Sequence, residues 1–182
     1  MPEVAERYTR LADRFEQTVR TVRHEQWGDP TPCPDWDVRR LVEHVANNAG
    51  VFLKLVGEPE PDLPPVAIDP LATWQASDAS VRDALATPAI ANREYDGYFG
   101  KSTFAEAIDS FLSFDLVVHR WDLAHATGQD ETIEAADITD VYRAAEGFGD
   151  ALRLGGVCGA AMEPPPGADE QTKLLAYLGR MP

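Results

Sequence analysis

The chain has 182 residues and a formal net charge of -15 at pH 7, from 31 acidic against 16 basic residues. That length suffices for one domain with a substantial core, and no composition break divides it, so a single domain over residues 1–182 is expected. An acidic balance without clustered Lys and Arg excludes nucleic acid as a partner, because phosphate neutralisation needs grouped cations. The charged, amphipathic start MPEVAERYTRLADRFEQ holds no continuous apolar run, which argues against a signal peptide or membrane span and for a cytoplasmic protein.

From Val4 the apolar residues Tyr8, Leu11, Phe15, Val19 and Val22 repeat at helical spacing and predict a first helix over residues 3–24. The Pro-rich WGDPTPCPDW follows, and Asp37 is placed to cap a second helix with Val38, Leu41, Val42, Val45, Ala49, Phe52 and Leu53 on its core face, ending near Gly57. After the loop GEPEPDLPPVAIDP, Asp69 and Pro70 read as cap and first residue of a third helix carrying Leu71, Trp74, Val81 and Leu85. Residues 88–102 hold the strand-like material, enough for a short hairpin or loop around Gly97 and Gly100. Thr103 and Glu106 form a capping-box pattern that opens a fourth helix running to Gly128. A fifth helix is expected from Asp137 to about Leu154, and a short terminal one within ADEQTKLLAYLGR. Helices of this length without intervening strands predict an all-α fold, a four-helix bundle with additional short helices and at least one crossover connection.

Within the fourth helix, SFDLVVHRWDLAHATG sets Asp115, His119 and Asp122 among apolar residues. Positions i, i+4 and i+7 share a narrow arc, so these three form one stripe, continued by Ile108, Phe111, Leu112 and Ala126. A buried carboxylate is costly unless it is paired or bound to a metal. His44 on the second helix lies beside its core face and can reach the bundle interior. His44, Asp115 and His119 together would offer two nitrogens and one oxygen to a divalent ion, with open positions for water or substrate. The alternative is a buried Asp115–His119 ion pair, with His44 hydrogen-bonded to Asn48 or Asp122. On the metal reading His119→Ala costs the fold little, whereas on the ion-pair reading it strands Asp115. Cys33, between two prolines, reads either as an accessible thiol near the cleft or as a small packed residue. Cys33 and Cys158 stand far apart, in no CxxC or zinc-finger spacing, and read as reduced thiols.

The segments TPCPDWDVRRLVEHV, DLVVHRWDLAHATGQD and LLAYLGRMP, in that order, resemble the mycothiol-dependent maleylpyruvate isomerase-like group of the DinB superfamily. The resemblance spans nearly the whole chain and rests on Trp36, Asp37 and His44, then Asp115, His119, Asp122 and Leu123. It implies a DinB-like four-helix bundle and a divalent metal held by His44, Asp115 and His119. It also implies transferase or isomerase chemistry on a small electrophile with a low-molecular-weight thiol, mycothiol, as partner. The isomerase itself has a glutamate where this chain has Asp115, which would draw the ion closer to the helix, and it carries a second C-terminal domain that this chain is too short to contain.

Two imidazoles and a carboxylate suit zinc or nickel. Asp122 is the candidate catalytic group, orienting His44 or His119 through the other ring nitrogen or serving only as a hydrogen-bond partner near its own turn. The rival functions are a non-catalytic metal- or ligand-binding stress module and a metal-dependent hydrolase. The remaining partner expectations are a monomer or homodimer that contacts neither nucleic acid nor membrane.

Overall fold

Apolar residues at helical spacing form α1 (Pro2–Arg20) and bury Tyr8, Leu11, Ala12, Phe15 and Val19. The computed structural model describes residues 2–156 and 158–181, and the chain divides into two compact units, Met1–Gln129 and Asp130–Pro182. Helix α1 stops at Arg20, short of the predicted residue 24, and a 3-10 turn occupies His24–Gly28. Gln26 explains the early stop: its side-chain oxygen accepts from the Arg23 backbone N–H at 3.1 Å and its amide donates to the Thr127 carbonyl at 2.9 Å. His24 therefore opens the 3-10 turn.

Next comes a closed turn in which the Val38 N–H bonds the Asp29 carbonyl at 3.0 Å and the Thr31 N–H bonds the Trp36 carbonyl at 3.0 Å. Asp37 caps α2 (Val38–Leu55) by accepting from the Arg40 N–H at 2.8 Å. The core face of α2 buries Leu41, Val42, Val45, Ala49 and Leu53 as expected, whereas Phe52 is half-buried. Gly57 takes a φ of 77°, a conformation that spares it the Cβ clash other residues meet there. Asp69 caps α3 (Pro70–Ala86) at the Ala72 N–H, with Pro70 in the first helical position.

A single turn of helix, α4 (Pro88–Ala91), leads into the hairpin β1 (Glu94–Gly97) and β2 (Gly100–Thr103), antiparallel with Glu94 opposite Thr103. The Thr103/Glu106 capping box is present and opens α5 (Phe104–Ala107). The helix then widens into a π segment, Ile108–Leu112, before continuing as α6 (Ser113–Thr127), which ends at Gly128 in the left-handed region. A π segment carries an extra residue per turn, so Ile108, Phe111 and Leu112 do not continue the α6 stripe in phase. Helix α6 is buried on most faces, from Ser113 and Phe114 through Leu116, Val118, Trp121 and Leu123, as an apolar sequence on all sides requires. Its inward side is therefore more than one stripe.

The bundle is closed by α1 packing on α3 and α6, and by α2 packing on the same two helices. The ring order is α1–α3–α2–α6, so the α1-to-α2 and α3-to-α6 connections both cross the bundle diagonally. One polar link between α1 and α3 is Arg82, which bonds both Asp78 oxygens at 2.9 and 2.8 Å and Asp13 at 2.7 Å. Asp78 is buried and Arg82 is 31% exposed. Arg82→Gln is expected to cost about 2 kcal/mol, less than a fully buried pair would. Burial pushes the Asp78 carboxyl above its usual range despite Arg82. The folded state therefore favours the protonated acid, and acidification through that window should shrink the variant's deficit. Urea unfolding at pH 7 and pH 4.5 checks this, and equal deficits would contradict it.

The second unit begins with α7 (Ala135–Phe148), two residues ahead of the predicted start, with Ile138, Val141 and Ala145 buried. Gly149 ends α7 early, at a φ of 51°, and a 3-10 segment spans Gly149–Gly156 where the fifth helix was expected to continue. Asp169 caps α8 (Glu170–Tyr177), which packs on α7 and buries Leu174, Leu175 and Ala176. Among the described residues no helix is long and apolar enough to cross a membrane.

Candidate metal centre

Three pieces of backbone bring the polar residues of the first unit together. Helix α2 presents His44 and Asn48 one turn apart, and α6, packed against it, presents Asp115, His119 and Asp122. The turn ahead of α2 adds Cys33 and Trp36. Side-chain exposure falls from 33% at His44 and 23% at Asp115 to 8% at His119 and 0% at Asp122, so the cluster opens on the His44 side and closes on the Asp122 side.

One donor atom each from His44, Asp115 and His119 lies within 4.8 Å of the other two. His44 Nε2 stands 3.8 Å from Asp115 Oδ2, and the Asn48 amide donates to that oxygen at 2.6 Å. The same amide nitrogen is 3.3 Å from His44 Nε2. Asp122 Oδ2 is 3.0 Å from His119 Nδ1. Asp122 thus meets His119, not His44, and the ion pair formed by His119 is with Asp122 rather than with Asp115 as the alternative to the metal reading had it. With Nδ1 engaged, Nε2 is the nitrogen His119 has left for another partner.

The donor chemistry fits a divalent ion. Ligand atoms at about 2.0–2.2 Å from a cation lie roughly 3.0–3.5 Å apart, so a separation of 4.8 Å or less closes by side-chain shifts of about an ångström shared among three residues. Trp36 roofs the imidazoles, its ring centroid 4.5 Å from that of His44 and 5.9 Å from that of His119. Beyond Asn48 and Asp115, Phe52 of α2 and Phe111 of the π segment stack at 6.0 Å, and Phe99 of the hairpin stacks on Phe111 at 5.9 Å. The polar cluster therefore continues into an apolar wall.

The two imidazoles differ electrostatically. Burial, then the neighbouring His119, lowers the His44 pKa against the opposing pull of Asp115. For His119 burial also opposes the charged form, but the hydrogen bonds to Asp122 and Cys33 and the charges of Asp115 and Asp122 outweigh it and raise the pKa to about 10. Asp122 and Asp115 are thus arranged around a positive charge in the centre of the cluster.

Cys33 reaches this cluster as well: its Sγ lies 3.3 Å from Asp122 Oδ2 and 3.8 Å from His119 Nδ1. It is half-exposed and lies against the cluster. Sequence reasoning weighed it only as a thiol near the cleft or a packed residue, because a contact across 86 residues depends on the shape of the turn and leaves no periodic signal. Of the other three tryptophans two lie in the core, Trp74 packed edge-on against Phe15 and Trp121 stacked on His125, while Trp27 is half-buried in the 3-10 turn.

Comparison with known proteins places the chain in one lineage. The profile of the family described as "Mycothiol maleylpyruvate isomerase N-terminal domain", a DinB-like family, matches residues 8–124, a span that contains His44, Asp115, His119 and Asp122. Two Mycobacterium tuberculosis proteins, "Uncharacterized protein MT0763" of strain CDC 1551 / Oshkosh and "Uncharacterized protein Rv0738" of strain ATCC 25618 / H37Rv, are each 28% identical over 176 residues. Each alignment covers 95% of this chain and 95% of the relative. No solved structure matches.

Proposed function

We propose that the chain, which belongs to the mycothiol maleylpyruvate isomerase N-terminal domain family, binds one divalent cation through His44, Asp115 and His119. With it the protein carries out thiol-dependent transfer or isomerisation on a small electrophile, with mycothiol as the thiol and zinc or nickel as the ion. The observation that carries this reading is the convergence of two imidazoles and one carboxylate, from two packed helices, within 4.8 Å. A divalent cation held there supplies a Lewis acid that lowers the pKa of a coordinated thiol, making thiolate available at neutral pH.

The chain's own residues prepare the site. Asp122 acts as a positioning residue: by engaging His119 Nδ1 at 3.0 Å it holds the ring and leaves Nε2 as the nitrogen available to the ion. Asn48 fixes the Asp115 carboxylate, and the Trp36 ring keeps water from one side of both imidazoles. Phe52, Phe111 and Phe99 form the wall against which the apolar part of an electrophile would lie. The reaction would run in the cytoplasm, where small thiols are kept reduced.

The test is to incubate zinc-loaded protein with an activated electrophile, with and without thiol. Loss of electrophile that depends on both thiol and enzyme is expected, and it should be abolished in His44→Ala. Loss without thiol would mean hydrolysis, and no loss in either arm would mean a binding protein; both outcomes overturn the reading.

A further inference from the structure

Cys33, His119 and Asp122 form a second donor set that the reading above does not use as ligands. We infer that Cys33 Sγ, His119 Nδ1 and an Asp122 oxygen make a thiolate-containing cation site that takes a thiophilic divalent ion and excludes occupancy of the His44–Asp115–His119 set. All three donor separations of this set are short. The nitrogen-to-oxygen, sulfur-to-oxygen and sulfur-to-nitrogen separations are 3.0, 3.3 and 3.8 Å. Around a tetrahedral ion with sulfur at ~2.3 Å and nitrogen and oxygen at ~2.0–2.1 Å, such atoms lie about 3.3–3.6 Å apart.

The turn that carries Cys33 is itself fixed. The Cys33 N–H donates to Thr31 Oγ1 at 3.2 Å, its carbonyl accepts from the Trp36 N–H at 3.2 Å, and Pro30 pairs with Asp37 across the base. Asp35, at the tip, adopts a φ of 65°. The thiol is therefore presented to Asp122 by a closed loop, and it is half-exposed, so an ion can approach from solvent. Thiolate among the donors selects for softer ions than two imidazoles and a carboxylate do.

Exclusion follows from the imidazole. A neutral ring has one nitrogen with a free lone pair. When Nε2 serves the first set, the Nδ1 proton bonds Asp122; when Nδ1 serves the second, the ring's remaining proton sits on Nε2 and takes that nitrogen away from the first set. Binding at the second set releases two protons to solvent, one from the Cys33 thiol and one from Nδ1 of the His119 imidazolium, and involves no change of oxidation state. Asp122 changes role with the tautomer, from hydrogen-bond acceptor to ligand.

Cadmium is the probe. Added to chelator-treated full-length protein carrying His44→Ala and Asp115→Ala, it is expected to bind at one ion per chain. Ultraviolet thiolate-to-cadmium charge-transfer absorption should accompany binding and should vanish when Cys33→Ser or Cys33→Ala is added. Far-ultraviolet circular dichroism checks that each variant is folded. No absorption in the folded double variant overturns the site, as does absorption that survives loss of Cys33, which would place it on Cys158. In zinc-loaded wild type, each cadmium bound with that absorption is expected to release one zinc. Zinc retained beside bound cadmium would overturn the exclusion. The cadmium arm in the double variant is readable even if wild type binds no zinc, so failure of the first site and failure of this one are distinct results.

Discussion

His119→Ala is expected to abolish cation binding at the cluster and to destabilise the chain, with all metal removed by chelator, by roughly 3–5 kcal/mol. The first effect follows because His119 belongs to both donor sets. The second follows because Asp122, at 0% exposure, loses the imidazole that holds its charge. Read from helical spacing, the partner of His119 is Asp115, and the metal reading makes the substitution cheap. In the structure the carboxylate beside His119 is the fully buried Asp122, three residues on, and a costly substitution is expected for that reason. Asp122→Asn added to His119→Ala should recover much of the loss, because the buried charge that has lost its imidazole is gone, while Cys33 still lies 3.3 Å away. The pH dependence has a definite sign. His119 keeps its proton up to about 10 in the fold against an ordinary value near 6.5. Its contribution is therefore full below about pH 6.5 and is lost as pH rises through 10, so the gap between wild type and variant should narrow over that window. Urea unfolding of chelator-treated proteins measures both, and a His119→Ala midpoint equal to wild type would contradict the argument.

His44→Ala should behave in the opposite way, lowering zinc affinity by on the order of a hundredfold or more while changing the metal-free stability by less than about 1 kcal/mol. His44 sits at the open edge of the cluster, 33% exposed, and no buried carboxylate depends on it. Asp115 sharpens the comparison. Asp115→Asn keeps the shape and loses the charge, so it should weaken binding about as strongly as His44→Ala. Asp115→Glu keeps the charge on a longer stem and should retain an ion, with altered metal preference. Calorimetric titration of each folded variant with zinc distinguishes them. If Asn bound zinc as tightly as Asp, the carboxylate would not be a ligand.

The elements that a reader could recover from the residues are those with local causes. Asp37 and Asp69 as caps, the Thr103/Glu106 capping box, Gly57 and Gly128 as stops, and the hairpin around Gly97 and Gly100 all rest on interactions within a few residues. The convergence of His44 with Asp115 and His119 was legible too, because both helices show a core-facing side at those positions. What was not legible depends on backbone detail or long-range contact. The π segment has no signature in a periodic apolar pattern, yet it shifts Phe111 relative to Asp115. The end of α1 is set by Gln26 reaching Thr127, 101 residues away. The choice of Asp122 over Asp115 as partner of His119, and the arrival of Cys33 beside both, depend on side-chain rotamers and on a turn whose closure is invisible in TPCPDW.

X-ray absorption at the zinc edge, on wild-type protein loaded with one equivalent of zinc, tests the central claim most directly because it reads the ligand atoms themselves. The account predicts a first shell of nitrogen and oxygen alone at about 2.0–2.2 Å, with the scattering of two imidazoles that drops to one in His44→Ala. A sulfur at about 2.3 Å, a shell unchanged by His44→Ala, or zinc that washes away from folded protein would contradict it.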